Sequence, residues 1–142
     1  MLMDQEKPKS RMIELAEIER LMVPGQHEPV SHYCHAVRCG ERIWISGMVG
    51  IDQLGQIAAD TVDQFQIAMT NLDIVLREAG GKPEHIVKVM VFLTDIADRS
   101  RINPIRQSYF GDHRPASTLV EVSSLVLPEL KVEIEAEAVI VD

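Results

Sequence analysis

The chain has 142 residues, 46% hydrophobic and 25% charged, with a formal net charge of −8 and a pI near 5.1. That length suits one domain, and the acidic balance excludes a nucleic-acid binder or a ligand of anionic membrane surfaces, both of which need a basic face. Two cysteines are too few for a disulfide scaffold, and no apolar run approaches the roughly 20 residues that cross a bilayer. The polar start, Met1–Ser10, lacks the apolar core of a signal peptide, so a cytoplasmic location is expected.

Residues 1–10 read as a frayed tail. Met12–Ala16 fits either a first strand or a helical turn, and Val23-Pro24-Gly25 marks a loop. The runs Tyr33–Val37 and Ile43–Val49 flank a short connection containing Gly40, which predicts a β-hairpin. Thr61–Ala79 is the clearest helix. Val62, Phe65, Met69, Leu72, Leu76 and Ala79 recur at spacings of three and four, with Thr61 and Gln64 as a weak capping box and Gly80-Gly81 as the stop. Ile86–Leu93 is apolar at nearly every position, as in a strand covered on both faces.

A second helix is expected over Arg101–Phe110, with Ile102, Ile105 and Tyr109 inward. Asn103-Pro104 resembles an N-cap and first helical position, so the regular helix could begin there. Two alternating strands follow. Thr118–Ser123 places Thr118, Val120 and Val122 on one side. Lys131–Val141 places Val132, Ile134, Ala136, Ala138 and Ile140 on one side, with Lys131, Glu133, Glu135 and Glu137 opposite. The order predicts an α/β (α+β) domain of two helices on one face of a mixed sheet, with parallel neighbours across each strand–helix–strand passage. Two helices leave the other face bare, and packing against further copies of the chain would cover it.

The stretch Arg114-Pro115-Ala116-Ser117-Thr118-Leu119-Val120-Glu121-Val122, followed by Lys131-Val132-Glu133-Ile134-Glu135-Ala136, resembles the signature of the RidA/YjgF family (enamine/imine deaminases, endoribonuclease L-PSP-like). Tyr33, Ser46-Gly47, Glu78-Ala79-Gly80, the run Ile86 to Asp95, Asn103 and Tyr109-Phe110 agree in order and spacing, so the resemblance covers roughly residues 30 to 141. It implies a chorismate-mutase-like β-β-α-β-α-β-β fold over residues 21–142, residues 1–20 being an extension that could hold a first strand. It also implies a homotrimeric barrel with small-molecule clefts between subunits. Archetypal members hydrolyse reactive enamines and imines to a 2-keto acid and ammonia without cofactor or metal.

By the same resemblance Glu133 is the catalytic carboxylate, and Tyr33, Ser46, Gly47, Asn103, Ser117 and Leu119 line the cleft. Arg114, in the loop before the signature strand, borders it. The chain departs from the pattern at Ser117, where the archetype has the arginine that grips the substrate carboxylate, and at Leu119, where a small residue is usual. Two readings follow: a deaminase that anchors its substrate differently, with Arg114, His32 or Arg38 as other anion-binding candidates, or a non-catalytic small-molecule-binding or regulatory member. A ribonuclease activity, attached to some relatives, fits poorly with the charge of −8. Each residue also has a plainer role. Three glutamates on one strand face commonly meet solvent, Tyr33 could pack at a subunit boundary, Asn103 could cap a helix and Ser117 could bond only to backbone. No metal site is expected: on a strand His32 and His35 would point to opposite faces, and Cys34 and Cys39 read as a buried hydrophobe and a turn residue.

Overall fold

The computed structural model describes residues 15–142, so the expected tail and most of Met12–Ala16 lie outside the described residues. Strand β1 (Ile18–Leu21) is an edge strand paired antiparallel with β2 (Ala36–Cys39), which forms a hairpin with β3 (Arg42–Val49). Gly40, at φ +59°, takes the first of the two turn positions, where a side chain would be strained. The first strand of this hairpin starts three residues later than the apolar run suggests. Tyr33 therefore lies in the loop leading into the sheet.

Helix α1 (Thr61–Glu78) follows the predicted stripe, burying Phe65, Ala68, Met69, Leu72, Val75 and Leu76. Its cap is Asp60 rather than Thr61: the Asp60 carboxylate accepts the Val62 N–H, whereas the Thr61 hydroxyl donates to Asp98. Gln64 does not form a capping box. It is wholly buried, donating to the carbonyls of Ala58 (2.7 Å) and Glu129 (2.9 Å) and accepting from the Lys131 N–H (2.8 Å), which ties two loops to the helix.

Strand β4 (Ile86–Leu93) occupies the predicted residues. Helix α2 (Arg99–Phe110) begins four residues before Asn103, so Pro104 sits inside the helix and Asn103 is not its cap. A 3₁₀ turn at Ile96–Asp98, whose leading Asp95 accepts the Ala97 N–H, feeds the chain into α2 and replaces the Asn-Pro start. Strands β5 (Ala116–Glu121) and β6 (Val132–Val139) complete a six-stranded sheet of order β1-β2-β3-β6-β4-β5.

The β4–β5 pair is parallel, as a strand–helix–strand passage predicts; β3 and β4 are also parallel but not adjacent, because β6 runs antiparallel between them. Ile43, Ile45, Val89, Val91, Leu93, Val132, Ile134, Ala136 and Ala138 form the buried face under the helices. The opposite face carries Trp44, Met90, Phe92 and Val120 with the three glutamates of β6, and its apolar members are half-covered in the protomer.

Candidate functional site

Glu133 is the second residue of β6 and points away from the helices. Its carboxyl group lies over Gly47, at the β3 bulge where pairing with β6 shifts between Ile45 and Met48. A Cβ added at Gly47 would overlap Glu133 Oε1 and Cδ, so the missing side chain is what makes room for the carboxyl group. Burial, then the nearby Glu135 charge, raises the Glu133 pKa above the ordinary 4.5. Neither of its oxygens has a hydrogen-bond or ion-pair partner among the described residues.

The loop facing Glu133 is built by short polar contacts. Ser46 Oγ donates to the Cys34 carbonyl (2.6 Å) and the Ser46 N–H to that of His35 (3.0 Å), so this serine fastens the loop. His35 is buried off the sheet; its Nδ1 accepts the Val23 N–H (2.8 Å), leaving Nε2–H to donate to the His27 carbonyl (2.9 Å). Tyr33, about half exposed, accepts the Val30 N–H at its hydroxyl and lines one recess with Gly47 and Glu133. Asn71 of α1 closes that recess from behind by donating to the carbonyls of Val49 and Ile51, both at 3.0 Å.

The remaining candidates stand elsewhere. Across β5, β4 and β6 the register aligns Leu119, Val91 and Ile134 on the helix side, and Val120, Phe92 and Glu133 on the other. Ser117 and Leu119 therefore face α2, opposite to Glu133. There they floor an open groove of about 510 Å³ whose wall is Arg99, Ser100, Asn103 and Arg106 of α2. Arg114 is exposed and lines the adjoining recess with Asn103 and Arg106.

The candidates thus form two half-sites on opposite faces of the sheet, Tyr33–Gly47–Glu133 and Asn103–Ser117–Leu119, which one protomer does not join. Two suggested anion binders fall away from both. Arg38 donates to the Ala79 carbonyl (2.7 Å) at the end of α1, and His32 lies exposed in the loop before β2. His32 and His35 are loop residues, so strand alternation does not govern them, and no cluster of three potential metal ligands occurs among the described residues.

Arg106, absent from the family signature residues, lines the same groove. Its Nη2 donates to Ser117 Oγ (2.7 Å), so Ser117 bonds to a side chain rather than only to local backbone. The signal was present: Arg99, Asn103 and Arg106 fall at i, i+4 and i+7, one face of α2.

A family model described as Endoribonuclease L-PSP matches residues 25–140. A RutC family protein of Pyrococcus abyssi is 34% identical over 113 residues, covering 78% of this chain and 88% of that one. A protein of Dermatophagoides farinae named 2-iminobutanoate/2-iminopropanoate deaminase is 30% identical over 122 residues, covering 84% and 94%. Among solved structures, the Rid-family protein YyfA of Yersinia pestis superposes with a TM-score of 0.82 at 29% identity, covering 87% of this chain and all of that one. The six-stranded mixed sheet with two helices is thus the chorismate-mutase-like fold of these proteins. With the signature strands β5 and β6 in place and the family model spanning most of its length, the chain belongs to the RidA/YjgF (endoribonuclease L-PSP) family.

Proposed function

We propose that the protein is a cofactor-independent hydrolytic deaminase of a small enamine or imine, working in clefts completed by a second copy of the chain in a homotrimer. The observation that carries this is Glu133: a carboxyl group with a raised pKa, unpartnered among the described residues, set over a glycine beside Tyr33. The name of the Dermatophagoides relative supports the reaction class.

The chemistry asks little of the protein. A protonated imine carbon is electrophilic without a metal. Glu133 as carboxylate takes a proton from water as the oxygen bonds to that carbon and returns it to the nitrogen; as the C–N bond breaks, the hydroxyl proton of the carbinolamine passes through Glu133 to the departing ammonia. Overall, R₂C=NH₂⁺ and H₂O become R₂C=O and NH₄⁺; an enamine enters after protonation at carbon. Because Glu133 and the Ser117 groove lie on opposite faces of the sheet, one cleft would take Glu133 from one copy and Asn103, Ser117 and Leu119 from its neighbour.

The test generates 2-imino acids and enamines in situ with an amino-acid oxidase or dehydratase and follows their decay. Wild type should accelerate decay with ammonia release, and Glu133→Gln should lose that acceleration by about a hundredfold or more, the usual range for a general base. Ligand-dependent stabilisation of the fold with no turnover on any imine would instead identify a binding or regulatory member.

A further inference from the structure

The groove between α2 and β5 holds an arginine in a setting built for an anion. Arg106 is half-buried, and its only hydrogen bond among the described residues goes to the neutral Ser117 hydroxyl. Burial alone pushes its pKa down; Asp112 lines the adjoining recess, but no carboxylate pairs with Arg106 among the described residues. Every ion pair among the described residues involves Arg77 or Arg101 instead. The six groove-lining residues include two arginines and no acid, in a chain whose net charge is −8. A desolvated guanidinium without a counter-charge is costly, and a bound carboxylate supplies the charge and a planar pair of acceptors for the guanidinium fork. The Ser117 oxygen already accepts from Arg106, which leaves its O–H to donate into the groove. Asn103, one helical turn before Arg106, adds an amide with no hydrogen-bond partner among the described side chains.

We infer that Arg106 of α2, with Ser117 and Asn103 beside it, is the carboxylate-binding group of this protein, holding the acid end of a small planar carboxylate from the helix side of the groove. This deepens the deaminase reading above and rests on it for the reacting end of the ligand, though not for the anion site itself. The cation missing from strand position 117 is thereby supplied from the neighbouring helix.

The test titrates pyruvate, and its uncharged methyl ester, into the intact oligomer by calorimetry, with turnover on a 2-imino acid followed in parallel. Wild type should bind pyruvate and not the ester. Arg106→Gln should weaken pyruvate binding about tenfold or more, the scale of a lost charge-assisted pair. Arg106→Lys, which keeps charge but loses the fork, should recover only part of it, and Arg77→Gln, which removes a charge paired with Asp73 in a different recess, should change nothing. Melting curves check that each variant folds. Equal binding by wild type and Arg106→Gln, equal binding of ester and acid, or no pyruvate binding by wild type would each overturn the assignment. Arg106-dependent binding with no turnover would keep the anchor and sink the deaminase; turnover with KM unchanged in Arg106→Gln would do the reverse.

Discussion

The raised pKa of Glu133 sets both a pH profile and a stability effect. The carboxylate is the working form of a general base, so kcat/KM should fall on the acid side with a midpoint above the ordinary 4.5. The folded state holds this proton more tightly than the unfolded chain. The Glu133 contribution to stability is therefore lost as pH rises through the folded-state pKa, and Glu133→Gln should melt no lower than wild type at neutral pH. A variant that loses turnover while keeping or gaining thermal stability marks a functional carboxylate, whereas a drop in both would mark a structural one. Gly47 tests the same group sterically: Gly47→Ala displaces the Glu133 carboxyl group and should cost turnover while the ellipticity spectrum is unchanged.

At the scale of elements, the buried Gln64 side chain joins α1 to the segments before it and before β6 through three hydrogen bonds. Gln64→Leu strands two carbonyls and an N–H in the interior and should cost about 2–4 kcal/mol in chemical unfolding. A cost below 1 kcal/mol would mean those groups find other partners. The periodicity that marks α1 and β6 and the apolar run that marks β4 are local and legible in the sequence, because the residues that make them are close together along the chain. What escapes is what packing decides. Asn103-Pro104 has the chemistry of a helix start, but the turn at Ile96–Asp98 already provides one. The insertion of β6 between β3 and β4 is a pairing across some 40 to 100 residues that no window contains. The family resemblance points to Glu133, Tyr33 and Gly47, but their shared recess depends on the β3 bulge. Arg106 sits at a visible helical spacing, yet its bond to Ser117 depends on how α2 lies across β5.

At the scale of the molecule, the sheet face opposite the helices leaves Trp44, Met90, Phe92 and Val120 half-covered amid Lys88 and the β6 glutamates. Arg42 stacks on Trp44 at 5.1 Å, and Lys88 donates to Thr118 (2.9 Å), so the charged groups there are partly satisfied within the protomer. Such a mixed face suits burial against copies of itself. Light scattering should return three times the protomer mass of 15.9 kDa, and a monomer would remove the shared cleft. Among the described residues no helix is long and apolar enough to cross a membrane.

The division of the candidate residues between the two faces of the sheet has a genetic consequence. If each cleft draws Glu133 from one copy and Arg106 from the next, the two loci behave as separate complementation groups. Glu133→Gln and Arg106→Gln chains, each impaired alone at limiting substrate, would recover activity when dissociated, mixed in equal amounts and reassembled. Random assembly pairs an intact Glu133 with an intact Arg106 in about one cleft in four, so the mixture should regain roughly a quarter of wild-type turnover. Chains that worked singly would regain none, and coexpression in one cell would report the difference without any purified protein.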